Sequence, residues 1–130
     1  MLTNNLLVLK KIIFGLAVCW TVLIAVLCLV SFKKLPTLGV SGADKYVHVT
    51  FHFGFTMLWG TYSRLRLNEI VISRIVRLVI ISILYGILIE ILQETCTTTR
   101  HADIFDVLAN LTGATSALLI FVIVKRQIHR

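Results

Sequence analysis

Along this chain apolar residues come in four long blocks, and the ionisable ones gather between them. Residues 12–32 hold no ionisable group except the thiols of Cys19 and Cys28. About 20 apolar residues cross a bilayer core as a helix, so this block predicts a transmembrane helix. Lys10 and Lys11 bound it on one side, and Lys33, Lys34 and Pro36 on the other. A secretory leader would have a shorter apolar stretch and a small-residue cleavage site, and none appears before Ser31, so the helix is read as uncleaved. Further blocks at about residues 43–62, 70–92 and 104–124 predict three more helices. Residues 36–42, with the one proline, Gly39 and Gly42, read as a turn. Ser41 with Asp44 predicts a capping box for the second helix, and Asn68 with Glu69 a cap for the third. Residues 1–130 are read as a single domain, with no repeat and no linker.

The polar residues inside these blocks fall at helical spacing. Asp44, His48, His52 and Thr56 recur every four residues and form one stripe. Ser82, Gly86, Glu90 and Gln93 form a second. Asp106, Asn110, Gly113 and Ala117 form a third, with Ala109 beside it. Small residues in such stripes let backbones approach closely, as packing in lipid requires. The first helix has no stripe and is placed as a peripheral support. The expected fold is an all-α polytopic membrane protein, a four-transmembrane-helix bundle with a polar pocket opening outward between helices two, three and four.

Composition agrees with that solvent. Hydrophobic residues make up 58% of the chain, charged residues only 15%, and the mean hydropathy is +0.93, which excludes a water-soluble enzyme and a disordered chain. The net charge of +7 would suggest nucleic acid if the basic residues were not at block ends. With four spans, Lys10, Lys11, Arg64, Arg66, Arg74, Arg77, Lys125, Arg126 and Arg130 share the side of the termini; the other side has Lys33, Lys34, Lys45 and Arg100. The positive-inside rule then sets both termini in the cytoplasm, in a bacterial cytoplasmic membrane. These charges read as topological anchors, so no nucleic-acid partner is expected, and membrane lipids are. Cys19 and Cys28 lie roughly 13 Å apart along one helix, too far to bridge, and with Cys96 they are assigned to packing.

Apart from the flanking charges, there remain Asp44, Lys45, His48 and His52, then Glu90, Gln93 and Glu94, then Arg100, His101, Asp103, Asp106 and Asn110. All fall towards the side opposite the termini. His52 would lie roughly 12 Å deep. Ionisable groups at membrane depth cost about 3 kcal/mol and usually face inward with a function. Plain structural readings stand beside this. Asp103 with Asp106 can form a capping box for helix four, Asn110 can be interhelical glue, and Lys45 and Arg100 can neutralise the acids. Glu94 and His101 are expected at the aqueous boundary.

The arrangement Asp44-Lys45-x-x-His48, Glu90-x-x-Gln93 and Arg100-x-x-Asp103-x-x-Asp106-x-x-x-Asn110-x-x-Gly113 resembles the VanZ-like family of small bacterial membrane proteins, over nearly the whole chain. The resemblance implies a cell-envelope role, the family's namesake being associated with resistance to the glycopeptide teicoplanin, and brings no reaction with it. Thr99, Ala117 and His52 depart from the pattern, which often has glycine at the first two positions and an aromatic residue at the third.

Three functional readings follow. In the first, a membrane-embedded enzyme acts on a lipid-linked or phosphate-bearing envelope substrate. His48, Glu90 and Asp106 are its catalytic candidates: Glu90 as general acid or base, His48 as proton partner oriented by Asp44, Asp106 orienting donors or substrate. Lys45 and Arg100 bind the anion, with Asp103, Gln93 and Asn110 as further binding residues. In the second, the same pocket recognises a glycopeptide, lipid or partner without proton transfer. In the third, His48 and His52, four apart, bind a metal with Glu90; Val49 stands where a zinc protease has glutamate, and no metal or cofactor is expected. A transporter would need an internal repeat that the chain lacks. The ridge Ala109, Gly113 and Ala117 serves internal packing or a dimer, leaving oligomeric state open.

Overall fold

The computed structural model describes residues 2–29, 43–96 and 103–128. They form four helices: α1 (Leu2–Leu29), α2 (Ala43–Leu67), α3 (Ile72–Cys96) and α4 (Ile104–Ile128). At 1.5 Å per residue, the 25 residues of α2, α3 and α4 each run about 37 Å, more than a bilayer core of about 30 Å. α1 starts well before the apolar block, because Leu6, Leu7, Val8 and Leu9 extend the apolar surface past Lys10. Three helices, α1, α3 and α4, are long and apolar enough to cross a membrane. α2 is as long, but Asp44, Lys45, His48, His52, Arg64 and Arg66 lower its hydropathy.

Two apolar clusters, one around Ile24, Phe55 and Ile89 and one around Ile70, Ile75 and Phe121, are buried together with an unusual share of small and polar residues. The interior also holds small residues (Ala17, Ala109, Gly113, Ala114, Ala117) and polar ones (His48, His52, Thr56, Ser82, Glu90, Gln93, Asp106, Asn110). Large apolar side chains such as Leu16, Val22, Leu84, Ile91, Leu119 and Ile123 face outward. Lipid does not drive apolar groups together, so close contact and hydrogen bonds hold helices there.

α2 packs chiefly on α4, with α3 against both and α1 against α2 and α3. Backbones come close at Gly113, where an added Cβ would collide with the Val49 carbonyl oxygen and stand 2.9 Å from the Phe53 nitrogen. At Gly86 it would meet the Asn110 amide and, at 3.0 Å, the His52 ring. These glycines bring α2, α3 and α4 close enough for their polar stripes to touch.

α1 is peripheral, as its lack of a stripe predicts, yet polar contacts tie it in. The Trp20 indole donates to the Phe51 carbonyl (2.9 Å) and the Tyr85 hydroxyl to the Thr21 carbonyl (2.7 Å). Gln93 donates to the Cys28 carbonyl at 2.9 Å.

The turn between α2 and α3 corrects one expectation. Asn68 has φ 59°, a left-handed residue just past the end of α2, so it closes α2 and does not cap α3. In the first turn of α3 the amides of Arg74 and Ile75 bond to the Val71 carbonyl. Asparagine tolerates this conformation and a β-branched residue does not. Asn68→Val is therefore expected to cost about 1–2 kcal/mol, while Asn68→Gly stays near wild type, as read from thermal unfolding in detergent. Ser41 and residues 36–42, for which a cap and a turn are expected, lie outside the described residues, as do Arg100 and His101.

Candidate functional site

The three polar stripes meet near the start of α2 and α4 and the end of α3. The centre is His48, 4% exposed. Its Nδ1 lies 3.0 Å from Oδ1 of Asn110, a residue with no exposed surface. With the Asn110 amide turned this way its oxygen accepts from Nδ1, and its own Nδ2 has no hydrogen-bond partner among the described residues. The other ring nitrogen, Nε2, faces two carboxylates: Asp106 Oδ2 at 3.5 Å and Glu90 Oε1 at 3.9 Å. Glu90 and Asp106 are buried as well, and Glu90 Oε1 has no hydrogen-bond partner among the described residues.

A second layer lies nearer the surface. Lys45 Nζ reaches Asp103 Oδ2 at 2.9 Å, Asp44 Oδ2 at 3.3 Å and Asp106 Oδ1 at 3.4 Å. Asp106 thus joins the layers, one oxygen towards the lysine and one towards the histidine. Lys45 also stands 5.9 Å from the centre of the Phe105 ring. The hydrogen bond from Lys45, with a further one from the Phe105 amide, holds the Asp103 carboxyl below the usual carboxylate range. Beneath His48, His52 Nδ1 pairs with the Ser82 hydroxyl at 2.8 Å, wholly within the bundle.

The start of α4 is tied to α3. Asp103 is the N-cap, with Oδ1 accepting from the Phe105 amide at 2.8 Å. In a capping box the side chain three residues on would return to the Asp103 amide. Asp106 does not do so; Glu90 Oε2, from α3, accepts from that amide at 3.2 Å. The carboxylate completing the cap thus comes from another helix and frees Asp106 for Lys45 and His48.

The structure brings together Lys45, His48, Glu90, Asp103, Asp106 and Asn110. It turns other candidates elsewhere. Asp44 is half exposed against Lys45, and His48 is oriented by Asn110. Gln93 sends its amide to α1. His52 belongs to Ser82 and not to the carboxylates, which removes the His48–His52 metal pair. Arg100 lies outside the described residues. The α-helical register already paired Asp106 with Asn110; what it lacked was which neighbour Asn110 would meet.

The expected pocket is not among the clearest cavities of the described residues. One cavity of about 250 Å³, unforeseen, lies at the opposite end between α2 and α3, lined by Arg66, Arg74, Arg77, Trp59 and Tyr62. Another of about 390 Å³ is apolar, bounded by Phe55, Trp59, Leu78 and Tyr85.

Comparisons with known protein families, with curated proteins and with solved structures find no match. The chemistry rests on geometry. A buried imidazole nitrogen and two buried carboxylate oxygens, from three helices, lie within 4.8 Å of one another. Such a set can hold or move a proton, or hold a cation, beside a lysine that is paired with three carboxylates.

Proposed function

We propose that this chain is a multi-pass protein of the bacterial cytoplasmic membrane that acts on or binds a lipid-linked or phosphate-bearing envelope molecule at the outer leaflet. In this reading α2 is a fourth span, both termini are cytoplasmic, and the His48 cluster is at the extracytoplasmic end. Support for the fourth span comes from the fate of its polar residues: His48, His52 and Thr56 are buried against α3 and α4 and so do not meet lipid. The orientation rests on the arginine and lysine bias towards the side of the termini.

The observation that carries the functional reading is the convergence of His48, Glu90 and Asp106 in one buried group. Holding charged groups in the interior is costly, and a bundle held by packing alone has no need of them. His48, Glu90 and Asp106 are the reacting groups, with Lys45 and Arg100 holding a phosphate. The resemblance to VanZ-like proteins points the same way, towards teicoplanin resistance.

Bacteria expressing the chain are expected to tolerate more teicoplanin than an empty-vector strain, and Glu90→Gln to remove the difference at equal membrane abundance. A Glu90→Gln strain as resistant as wild type would sink the enzymatic reading. Loss on Arg100→Ala with retention in Glu90→Gln would instead identify a non-catalytic protein whose polar cluster is a recognition or structural network, a reading favoured by the way Lys45 already pairs with three carboxylates. Alkaline phosphatase fused after Asn68 is expected to be inactive and after Thr98 active; the reverse pattern would place the cluster at the cytoplasmic face.

A further inference from the structure

His48 is held so that its basic nitrogen faces other electron pairs. With Asn110 Oδ1 taking the proton of Nδ1, a ring that carries no second proton directs the lone pair of Nε2 at Glu90 Oε1 and Asp106 Oδ2. Three acceptors thus point at one spot, in a place where each residue is less than a tenth exposed. Lone pairs at this separation repel unless something positive lies among them. Lys45 does not fill the gap: it binds Asp106 through the other oxygen, Oδ1. Among the described residues Glu90 Oε1 has no hydrogen-bond partner, although its twin Oε2 is taken by the Asp103 amide.

We propose that His48 Nε2, Glu90 Oε1 and Asp106 Oδ2 form a three-ligand site for a divalent transition-metal ion, zinc above all. Around a tetrahedral zinc with bonds of about 2.1 Å, ligand atoms stand about 3.4 Å apart. The gaps from Nε2 are 3.5 Å and 3.9 Å, so both exceed that spacing only slightly. Two carboxylates balance the double charge, and one imidazole favours zinc over magnesium or calcium. Asn110 plays the part usual for a partner of a metal-bound histidine, fixing the tautomer and the ring plane. The Asp103 amide does the same for Glu90, and Lys45 for Asp106. Each ligand is thus oriented by a second group from a different residue, which a salt-bridge cluster does not require. Three protein ligands leave a tetrahedral position open, the position a phosphate oxygen would take.

This deepens the reading above and rests on it only for the idea that a phosphate reaches the cluster. Zinc content and teicoplanin tolerance are separate measurements. Zinc bound without a resistance phenotype defeats the envelope reading alone; resistance in a protein that holds no zinc defeats the metal alone.

The test uses the full chain, purified in detergent without a histidine tag, stripped with a chelator, equilibrated with Zn²⁺ and dialysed. Elemental mass spectrometry should find about one zinc per chain, as a three-ligand site holds one ion. Glu90→Gln and Asp106→Asn should each weaken retention by roughly tenfold or more, since each replaces a charged ligand. His52→Asn, which keeps a partner for Ser82, and the double change His101→Ala with His129→Ala should leave it intact. To separate ligand loss from misfolding, wild-type protein loaded with Co²⁺ should show visible absorption of tetrahedral intensity that zinc displaces. Wild-type protein that keeps no zinc and gives no cobalt spectrum would mean that a proton on Nε2 fills the gap, and would overturn the proposal. Equal zinc in the two carboxylate variants and in wild type would overturn it too.

Discussion

Gly113→Val is expected to destabilise the bundle by about 3 kcal/mol or more, or to prevent its folding, with a greater loss of thermal midpoint in detergent than either Asn68→Val or Asn110→Leu. The atoms that a side chain would meet at this point are the Val49 carbonyl and the Phe53 nitrogen, both backbone. A side chain in the way can change rotamer, whereas a backbone can be cleared only by moving a whole helix. α2 and α4 would then part along their main contact and carry Lys45 and His48 away from Asp106 and Asn110. Alanine should do the same on a smaller scale, costing about 1–3 kcal/mol. Gly15 is the control: a Cβ there meets nothing within 4 Å among the described residues, so Gly15→Ala should change stability by no more than about 1 kcal/mol, towards greater stability. A Gly113→Val protein that melts with wild type would show that the distance between α2 and α4 is set elsewhere.

Asn110→Leu is expected to have two measurable effects. Leucine keeps much of the volume but removes the acceptor of His48 Nδ1, leaving a buried donor unpaired, which costs about 1–3 kcal/mol. Hydrogen bonds between membrane helices average about 0.6 kcal/mol and reach about 1.7 kcal/mol. Because Asn110 has no exposed surface, we expect a loss near the upper figure, about 1.5 kcal/mol. The second effect is on zinc, where release of the ring from its fixed tautomer should weaken retention by about 10–100-fold. A stability loss with unchanged zinc would assign Asn110 to packing alone. Unchanged stability and unchanged zinc would mean that another group orients His48.

Much of the architecture is legible along the chain. Four apolar blocks give four helices, and α3 and α4 begin within about two residues of where their blocks begin, because a change from lipid-facing to aqueous residues is a strong local signal. The helical period puts His48, His52 and Thr56 on one face, and all three are buried. Where reading from spacing fails, a partner on another helix is involved. Asp44 is one turn from His48 in the chain, yet Asn110, 62 residues away, holds the ring. Asp106 is in the right place to close its own cap, yet Glu90 closes it. Asn68 could as well open α3 as close α2, and only its φ of 59° decides between them.

Local pattern alone dictates a chain of four long helices with small and polar residues gathered into stripes, since lipid as solvent and a period of 3.6 residues act on each segment separately. Which groups meet is a matter of tertiary packing: that Glu90 reaches over to cap α4, that Lys45 binds Asp106 on one oxygen, and that Nε2 of His48 and two carboxylates share one buried spot. Those pairings depend on how far apart the helix axes lie and how each helix is rotated. Both are set by close contacts at Gly113 and Gly86, between residues far apart in the chain, so the spacing within any one segment carries no record of them.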